Sequence, residues 1–439
     1  MPVDYPISAH TLDNGLRVVI SEDHLVPEVS VNVSVGVGSR HELPGRTGLA
    51  HLFEHLMFEG SQHVAEGEHF EVLMGHGGRC NATTSFDRTN YFQSVPSGVA
   101  ELSVWFEADR HTRLLPAVTQ ANVDNQRDVV VEEKRQRYDN QPYGDALEAI
   151  CAATFPQGHP YRHTPIGSMD DLQAASLATV RDFYREHYRR DNTVLTMVGD
   201  LTVEQGLAWA RHHFVRADSS AGEEHAEGSG DAGPAIPPRP DAAPLKALSH
   251  PTHREMGSDV PSDRLYACFR LPEVTSPDYL ACAMALDLLG GLATSALHRS
   301  LVRRDEIAVD CGAAALGLVE GTSLAYVVID VEETSSIEAA DEGLCRELLA
   351  LATDEVRPEL IEAVIAGTER SWLSALASIE ERADIIGRST LTHRDPNYLN
   401  TYIDQIRSIT GTQISSAAQR YLSPESRAVL AYRRNGAAA

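Results

Sequence analysis

The chain has 439 residues, 42% of them apolar and 23% charged, which is ample core for two or more globular domains and excludes a fibrous or low-complexity protein. Its 37 basic and 63 acidic side chains give a formal charge of −26, a surface that disfavours nucleic acid and anionic membrane and would attract cationic peptides. The opening stretch MPVDYPISAHTLDNG has neither the basic start nor the apolar run of a secretory signal, and no apolar stretch is long enough to span a bilayer. The six cysteines are scattered with no metal or redox spacing, so the expected location is the cytoplasm.

In chain order, Asp13-Asn14-Gly15 predicts a tight hairpin. A strand follows in which Val29, Val31, Val33, Val35 and Val37 alternate with small or polar residues, the pattern of one buried face. The segment PGRTGLAHLFEHLMFEGS then reads as a helix, with Thr47 as its N-cap and Gly60 as its stop. Leu52, Phe53, Leu56 and Met57 bury it. His51, Glu54 and His55, at positions i, i+3 and i+4, share one remaining face. Two imidazoles on one helical turn can reach a single Zn²⁺, and an uncoordinated carboxylate beside them is the base that metal-assisted hydrolysis needs. This is the inverted zincin order, His-x-x-Glu-His.

Catalytic zinc takes three protein ligands. The second amphipathic helix, beginning at Asn125 in NQRDVVVEEKRQRYDNQPYG, offers Glu132 and Glu133; helical neighbours point about 100° apart, and the residues alone do not choose between them. His159 and His163, four apart in GHPYRHTPIG, sit beside Pro160 and read as loop or packing histidines. The helix SLATVRDFYREHY and the strand TVLTMVGD close the first half. Residues 217–250 have the Gly, Pro, Ser, Ala and acidic composition of a linker. Beyond it the order recurs: strand RLYACFRL, apolar helix YLACAMALDLLGG, strand SLAYVVIDV, and a helix near TGTQISSAAQRYL leading into RAVLAYRR. An internal duplication is the economical reading. The counterpart of the histidine helix has Cys282, Met284 and Leu286 in place of ligands, so the second half has no metal.

Several blocks, in order, resemble the pitrilysin (insulinase) family of zinc peptidases, within it the branch of mitochondrial processing peptidase and its bacterial relatives. They are DNGLRVVI, GSRHE, HLFEHLMFEGS, GGRCNATTSFDRTNYF, QRDVVVEEKRQRYDNQPYG and HPYRHTPIGS. The likeness covers essentially the whole chain and is stronger in the first half. It implies an α+β fold: two homologous domains, residues 1–216 and 251–439, each a mixed β-sheet covered by helices, forming a clamshell around a chamber when dimerised. It selects Glu133 as third ligand, because in the family that ligand closes a stretch of the form acidic, basic, Asp/Asn, Val, Val, any, any, Glu. Gln126 then stands where relatives often carry an acidic residue, so a supporting carboxylate is missing from this helix. Asn81, Ala82 and Thr83 resemble the edge strand against which a substrate peptide lies extended.

Family peptidases also use an Arg and a Tyr from a metal-free domain to hold the peptide and the developing oxyanion. Here Val302 and Val309 stand at those positions in LVRRDEIAVD, Ala296 and His298 stand where a further Arg and Tyr are usual, and Arg303 and Arg304 are out of register. The resemblance thus implies the zinc-bearing member of a heterodimer whose homologous partner subunit supplies the Arg/Tyr pair. The expected activity is zinc-dependent hydrolysis of short or unfolded peptides, with His51, His55 and Glu133 as ligands and Glu54 as general base. The alternative is a non-catalytic core subunit of the same fold, against which the intact His51, Glu54, His55 set argues. A metal-dependent hydrolase of another bond is a third reading.

Overall fold

The computed structural model of the protein describes residues 4–215 and 244–434, so the expected linker lies, up to residue 243, outside the described residues. The strand signals resolve into two sheets. The first holds β1 (Ser8–Thr11), β2 (Arg17–Glu22), β3 (Glu28–Val35), β4 (Arg79–Thr84), β5 (Thr89–Pro96) and β6 (Thr193–Gly199), in the order β1-β2-β6-β3-β5-β4. The expected hairpin joins β1 to β2 with Thr11 opposite Arg17, and Gly15 turns the chain at a φ of +88°. The second sheet holds β7 (Thr252–Ser258), β8 (Arg264–Leu271), β9 (Ala308–Leu316), β10 (Ser323–Val331) and β11 (Ala428–Arg434), in the order β7-β11-β8-β10-β9.

Without β1, the two sheets have one topology. β2 runs parallel to β6 as β7 does to β11, and every other neighbouring pair is antiparallel in both. The duplication read from local signals is therefore present in the strand order itself.

In the first half, α1 (Leu49–Leu56) and α2 (Glu68–Gly75) lie between β3 and β4. Between β5 and β6 come α3 (Ala100–Arg113), α4 (Gln120–Lys134), α5 (Ala146–Thr154), α6 (Met169–Gln173) and α7 (Leu177–His187), and α8 (Val203–Ala210) follows β6. In the second half, α9 (Pro277–Leu286) lies between β8 and β9. Then α10 (Ile337–Thr353), α11 (Pro358–Ala377), α12 (Ile379–Thr392), α13 (Tyr398–Ser408) and α14 (Gly411–Tyr421) lie between β10 and β11.

Packing does not follow chain order. Of the described residues, one compact unit is drawn from 4–132, 165–215 and 372–402, the other from 133–164, 244–371 and 403–434. Within the first, α12 lies on β3 and β6; within the second, α5 lies on β8 and β11. This changes the expectation for β3, because both of its faces are buried rather than one. Val29, Val31 and Val33 pack with Val104 and Phe106 of α3 and Leu207 of α8. The alternate residues Ser30, Asn32 and Ser34 look solvent-facing in sequence but are fully covered.

α12 covers that small polar face. It approaches closely because Gly387 has no side chain: a Cβ there would lie 2.7 Å from Ser34 Oγ. Ile379, Ile385 and Ile386 add an apolar seam against Val19, Val194 and Val198, each burial contributing about 1.5–3 kcal/mol. Its charges are matched as well, with Arg382 bound to Asp23 at 2.6 Å and Asp384 to Arg88 at 2.7 Å.

Candidate metal centre

The histidine helix begins differently from its local signal. Thr47 is not the N-cap; Gly48, at φ +88°, precedes the first helical residue Leu49. The Thr47 amide and hydroxyl instead donate to Asp171 Oδ2, at 3.0 and 2.6 Å. The free amides at the helix start are satisfied by the carboxylate of Glu42, which accepts from Gly48 N at 2.9 Å and Ala50 N at 2.8 Å. A negative charge there also complements the helix dipole. Arg40, two residues before Glu42, is buried in an ion pair with Asp87 at 2.6 Å, which ties this approach to the β4–β5 turn. At the other end α1 stops at Leu56, and the turn beyond it closes at Gly60, φ +104°, as its glycine signal predicts.

Leu52, Phe53, Leu56 and Met57 are buried as expected. The Phe53 ring lies 4.4 Å from that of Tyr188 and 5.7 Å from that of Phe183, which fixes the rotation of α1. The His51, Glu54, His55 face is consequently turned outward and is half-buried rather than buried.

One ligand atom from each of His51, His55 and Glu133 can be chosen so that all lie within 4.8 Å of one another. The two imidazoles meet edge to face with centroids 4.8 Å apart. Glu133 belongs to the last turn of α4; its neighbour Glu132 is exposed and is not part of the group. Two imidazole nitrogens and a carboxylate oxygen form a donor set suited to zinc in a catalytic rather than a structural site. A tetrahedral shell sets its donors about 3.3 Å apart. Glu133 is also held by Arg137, whose Nη1 lies 2.7 Å from Oε1 on a largely exposed side chain.

Glu54 accepts a hydrogen bond at Oε2 from the hydroxyl of Thr84, the last residue of β4. Thr84 was not singled out in the sequence, although it adjoins the Asn81, Ala82, Thr83 stretch. Below Glu54 lie the buried phenols of Tyr91 and Tyr188, 2.7 Å apart. Burial first, and the nearby Glu54 charge in addition, push both well above the ordinary phenol range, so they stay neutral. Deeper still, Glu107 pairs with Arg110 at 2.5 Å. Burial alone would raise that carboxyl, but Arg110 and His111 outweigh it and hold it at about 2.

Gln126, standing on α4 where relatives often carry an acidic residue, contacts both His55 and a carboxylate from another segment. Gln126 Oε1 lies 3.2 Å from His55 Nδ1, and Gln126 Nε2 donates to Glu59 Oε1 at 2.5 Å. Glu59 is four residues after His55, a spacing visible in the sequence but past the end of the helix.

Asn81, Ala82 and Thr83 lie on β4, at one edge of the first sheet, as expected of an edge strand. The Ala82 amide is taken by Asn81 Oδ1 at 2.9 Å. His159 stacks on Phe155 at 4.9 Å and caps a short turn, a packing histidine. On α9, Cys282, Met284 and Leu286 are buried. Val309 stands 61% exposed on β9, an edge of the second sheet, and Arg304 is bound to Asp305 at 2.7 Å. Among the described residues no helix is long and apolar enough to cross a membrane.

Residues 17–164 match the profile of the insulinase family (peptidase family M16), and residues 174–368 that of the peptidase M16 inactive domain. The chain is 34% identical over 205 residues to "Zinc protease PqqE" of Helicobacter pylori, covering 46% of each. It is 27% identical over 216 residues to "Probable mitochondrial-processing peptidase subunit beta" of Schizosaccharomyces pombe, covering 48% of this chain and 45% of that one. The matched stretch spans about half the length of these relatives. A crystal structure of a protease from Helicobacter pylori superposes with a TM-score of 0.86 at 24% identity, over 98% of this chain and 99% of that one, a likeness of fold.

Proposed function

The chain belongs to the insulinase (M16) peptidase family, and on that premise we propose that it is a zinc metallopeptidase acting on short or unfolded peptides. The observation that carries this is the convergence of His51, His55 and Glu133 within 4.8 Å, with Glu54 on the same helical face. His51, His55 and Glu133 would hold the ion. Zinc so held supplies Lewis acidity and makes water acidic enough to ionise near neutral pH.

Glu54 takes the proton of the attacking water and returns it to the leaving amine. Thr84 orients its carboxylate. The open edge of β4 around Asn81, Ala82 and Thr83 binds the peptide through main-chain hydrogen bonds, largely independent of side-chain sequence. Residues 1–216 and 251–439 are the homologous domains joined by 217–250; the shared strand order supports this.

The chain is the zinc-bearing partner of a heterodimer. Valines at 302 and 309 supply no donor to an oxyanion, and the likeness to a relative named as a processing-peptidase beta subunit supports a divided site. Six unpaired cysteines fit a reducing, cytoplasmic location.

The test is a Glu54→Gln variant. It should keep about one zinc per chain by elemental analysis and lose peptide hydrolysis by several orders of magnitude, since it removes the proton acceptor and no ligand. Substantial turnover in that zinc-replete variant would refute the mechanism. Hydrolysis should rise on adding a homologous chain that carries the Arg/Tyr pair, with a complex of about twice the mass on size exclusion. Ordinary rates from the chain alone, unchanged by such partners, would refute the divided site.

A further inference from the structure

The hydrogen bonds around His55 determine which of its nitrogens carries the proton. Asn122 Nδ2 donates to Glu59 Oε2 at 2.7 Å, and Gln126 Nε2 lies 2.5 Å from Glu59 Oε1. An ionised carboxylate only accepts, so it dictates which end of the Gln126 amide faces it: the NH₂. The other end, Oε1, then faces His55 Nδ1 across 3.2 Å, and an amide oxygen also only accepts. Nδ1 must therefore carry the proton, which leaves Nε2 with the lone pair a metal requires.

We infer that Glu59, acting through Gln126, is the positioning carboxylate of the metal centre, selecting the ligating tautomer of His55 and raising its affinity for zinc. This rests on the zinc reading above. It also accounts for the amide at 126. With Glu59 already in contact, a second carboxylate there would face a like charge at hydrogen-bond distance. The native order, amide at 126 and carboxylate at 59, is one of two workable arrangements. The other is the exchange of the two groups, made by combining Gln126→Glu with Glu59→Gln. In that exchange the carboxylate accepts directly from His55 and from the new amide, and the proton stays on Nδ1.

A charge-exchange cycle tests this through zinc affinity, measured by competition with a chromophoric chelator, and through the ¹⁵N shifts of the His55 ring in metal-free protein. In the wild type at pH 8 the ring should be protonated on Nδ1. Glu59→Gln removes the group that orients the amide, so it should weaken zinc binding by about 10–100-fold and mix the tautomers. Gln126→Glu alone should also weaken binding, because it sets two carboxylates together. The double exchange should recover affinity to within about threefold of wild type and restore the Nδ1 proton. A double variant no better than the sum of the two single losses would overturn the relay. So would a wild-type His55 protonated on Nε2, or a Glu59→Gln protein with unchanged affinity and tautomer. Failure of the wild type to take up stoichiometric zinc would instead sink the zinc reading, and the ring shifts of the metal-free protein would still decide the relay.

Discussion

Replacing Thr84 by valine should slow peptide hydrolysis without removing zinc. The substitution keeps the branched shape that suits the last position of β4 and deletes one hydroxyl, the donor to Glu54 Oε2. The other hydroxyl near it, Thr89 Oγ1 at 3.4 Å, already donates to Val37 O at 2.9 Å, so little else is disturbed. A hydrogen bond to a charged group contributes about 1.5–3 kcal/mol. If the base must be held in one orientation as it takes the proton, that whole amount appears in the barrier. At about 1.4 kcal/mol per decade, kcat/KM falls roughly 10–150-fold. Thr84→Ser keeps the donor and should stay near wild type.

The assay is a quenched-peptide measurement of kcat and KM, with zinc content and thermal melting on the same preparations. A Thr84→Val protein with full zinc and kcat within about twofold of wild type would show that Thr84 does not orient the base. Loss of zinc in that variant would instead tie Thr84 to holding the metal rather than to orienting the base.

Glu133→Gln should lose zinc while Glu132→Gln keeps it; elemental analysis with the reverse result would move the third ligand to Glu132. Gly387→Ala should destabilise the fold by about 1–3 kcal/mol in denaturant titrations, because its Cβ meets Ser34 Oγ, and adding Ser34→Ala should recover much of the loss. Acid should destabilise the protein well before ordinary carboxylates titrate. Burial lowers His69 to about 3 and His111 to about 4, while the unfolded imidazoles bind protons near 6.5. Their contribution is therefore complete above pH 6.5, declines from there as the unfolded chain takes up protons, and is gone once pH has fallen through 4 and 3; Glu107, at about 2, acts in the same direction below its unfolded value. Unfolding free energies flat between pH 7 and 5 would contradict this.

Features set by nearest neighbours were legible in the sequence. Alternating valines, the hairpin glycine, and RLYACFRL and SLAYVVIDV needed only local periodicity, and β8 and β10 span those two stretches. The shared face of His51, Glu54 and His55 was legible because i, i+3 and i+4 share a helix side whatever surrounds them. What local reading lost was decided by distant partners. Thr47 looks like a cap, yet its hydroxyl goes to Asp171, 124 residues away, and Glu42 does the capping. Ser30, Asn32 and Ser34 look exposed, yet α12 arrives from beyond the linker to cover them. Gln126 looks like a lost carboxylate until Glu59 is seen against it.

The two halves separate what a fold requires from what a site requires. β7 to β11 reproduce the order and sense of β2 to β6, and that needs only apolar alternation, which many sequences satisfy. The helix between the second and third of these strands is another matter. α9 closes its own start with Ser276, whose hydroxyl accepts from Asp278 N, and fills its inner face with Cys282, Met284 and Leu286. α1 takes its cap from Glu42, the donor to Glu54 from Thr84, and the hydrogen-bond partners of one histidine from Gln126 and, through it, Glu59. None of these four is a ligand, and each lies outside α1. A site of this kind depends on several specific residues at once, whereas the sheet tolerates exchange at nearly every position. After a duplication the site is accordingly the first thing a copy can lose, and the architecture the last.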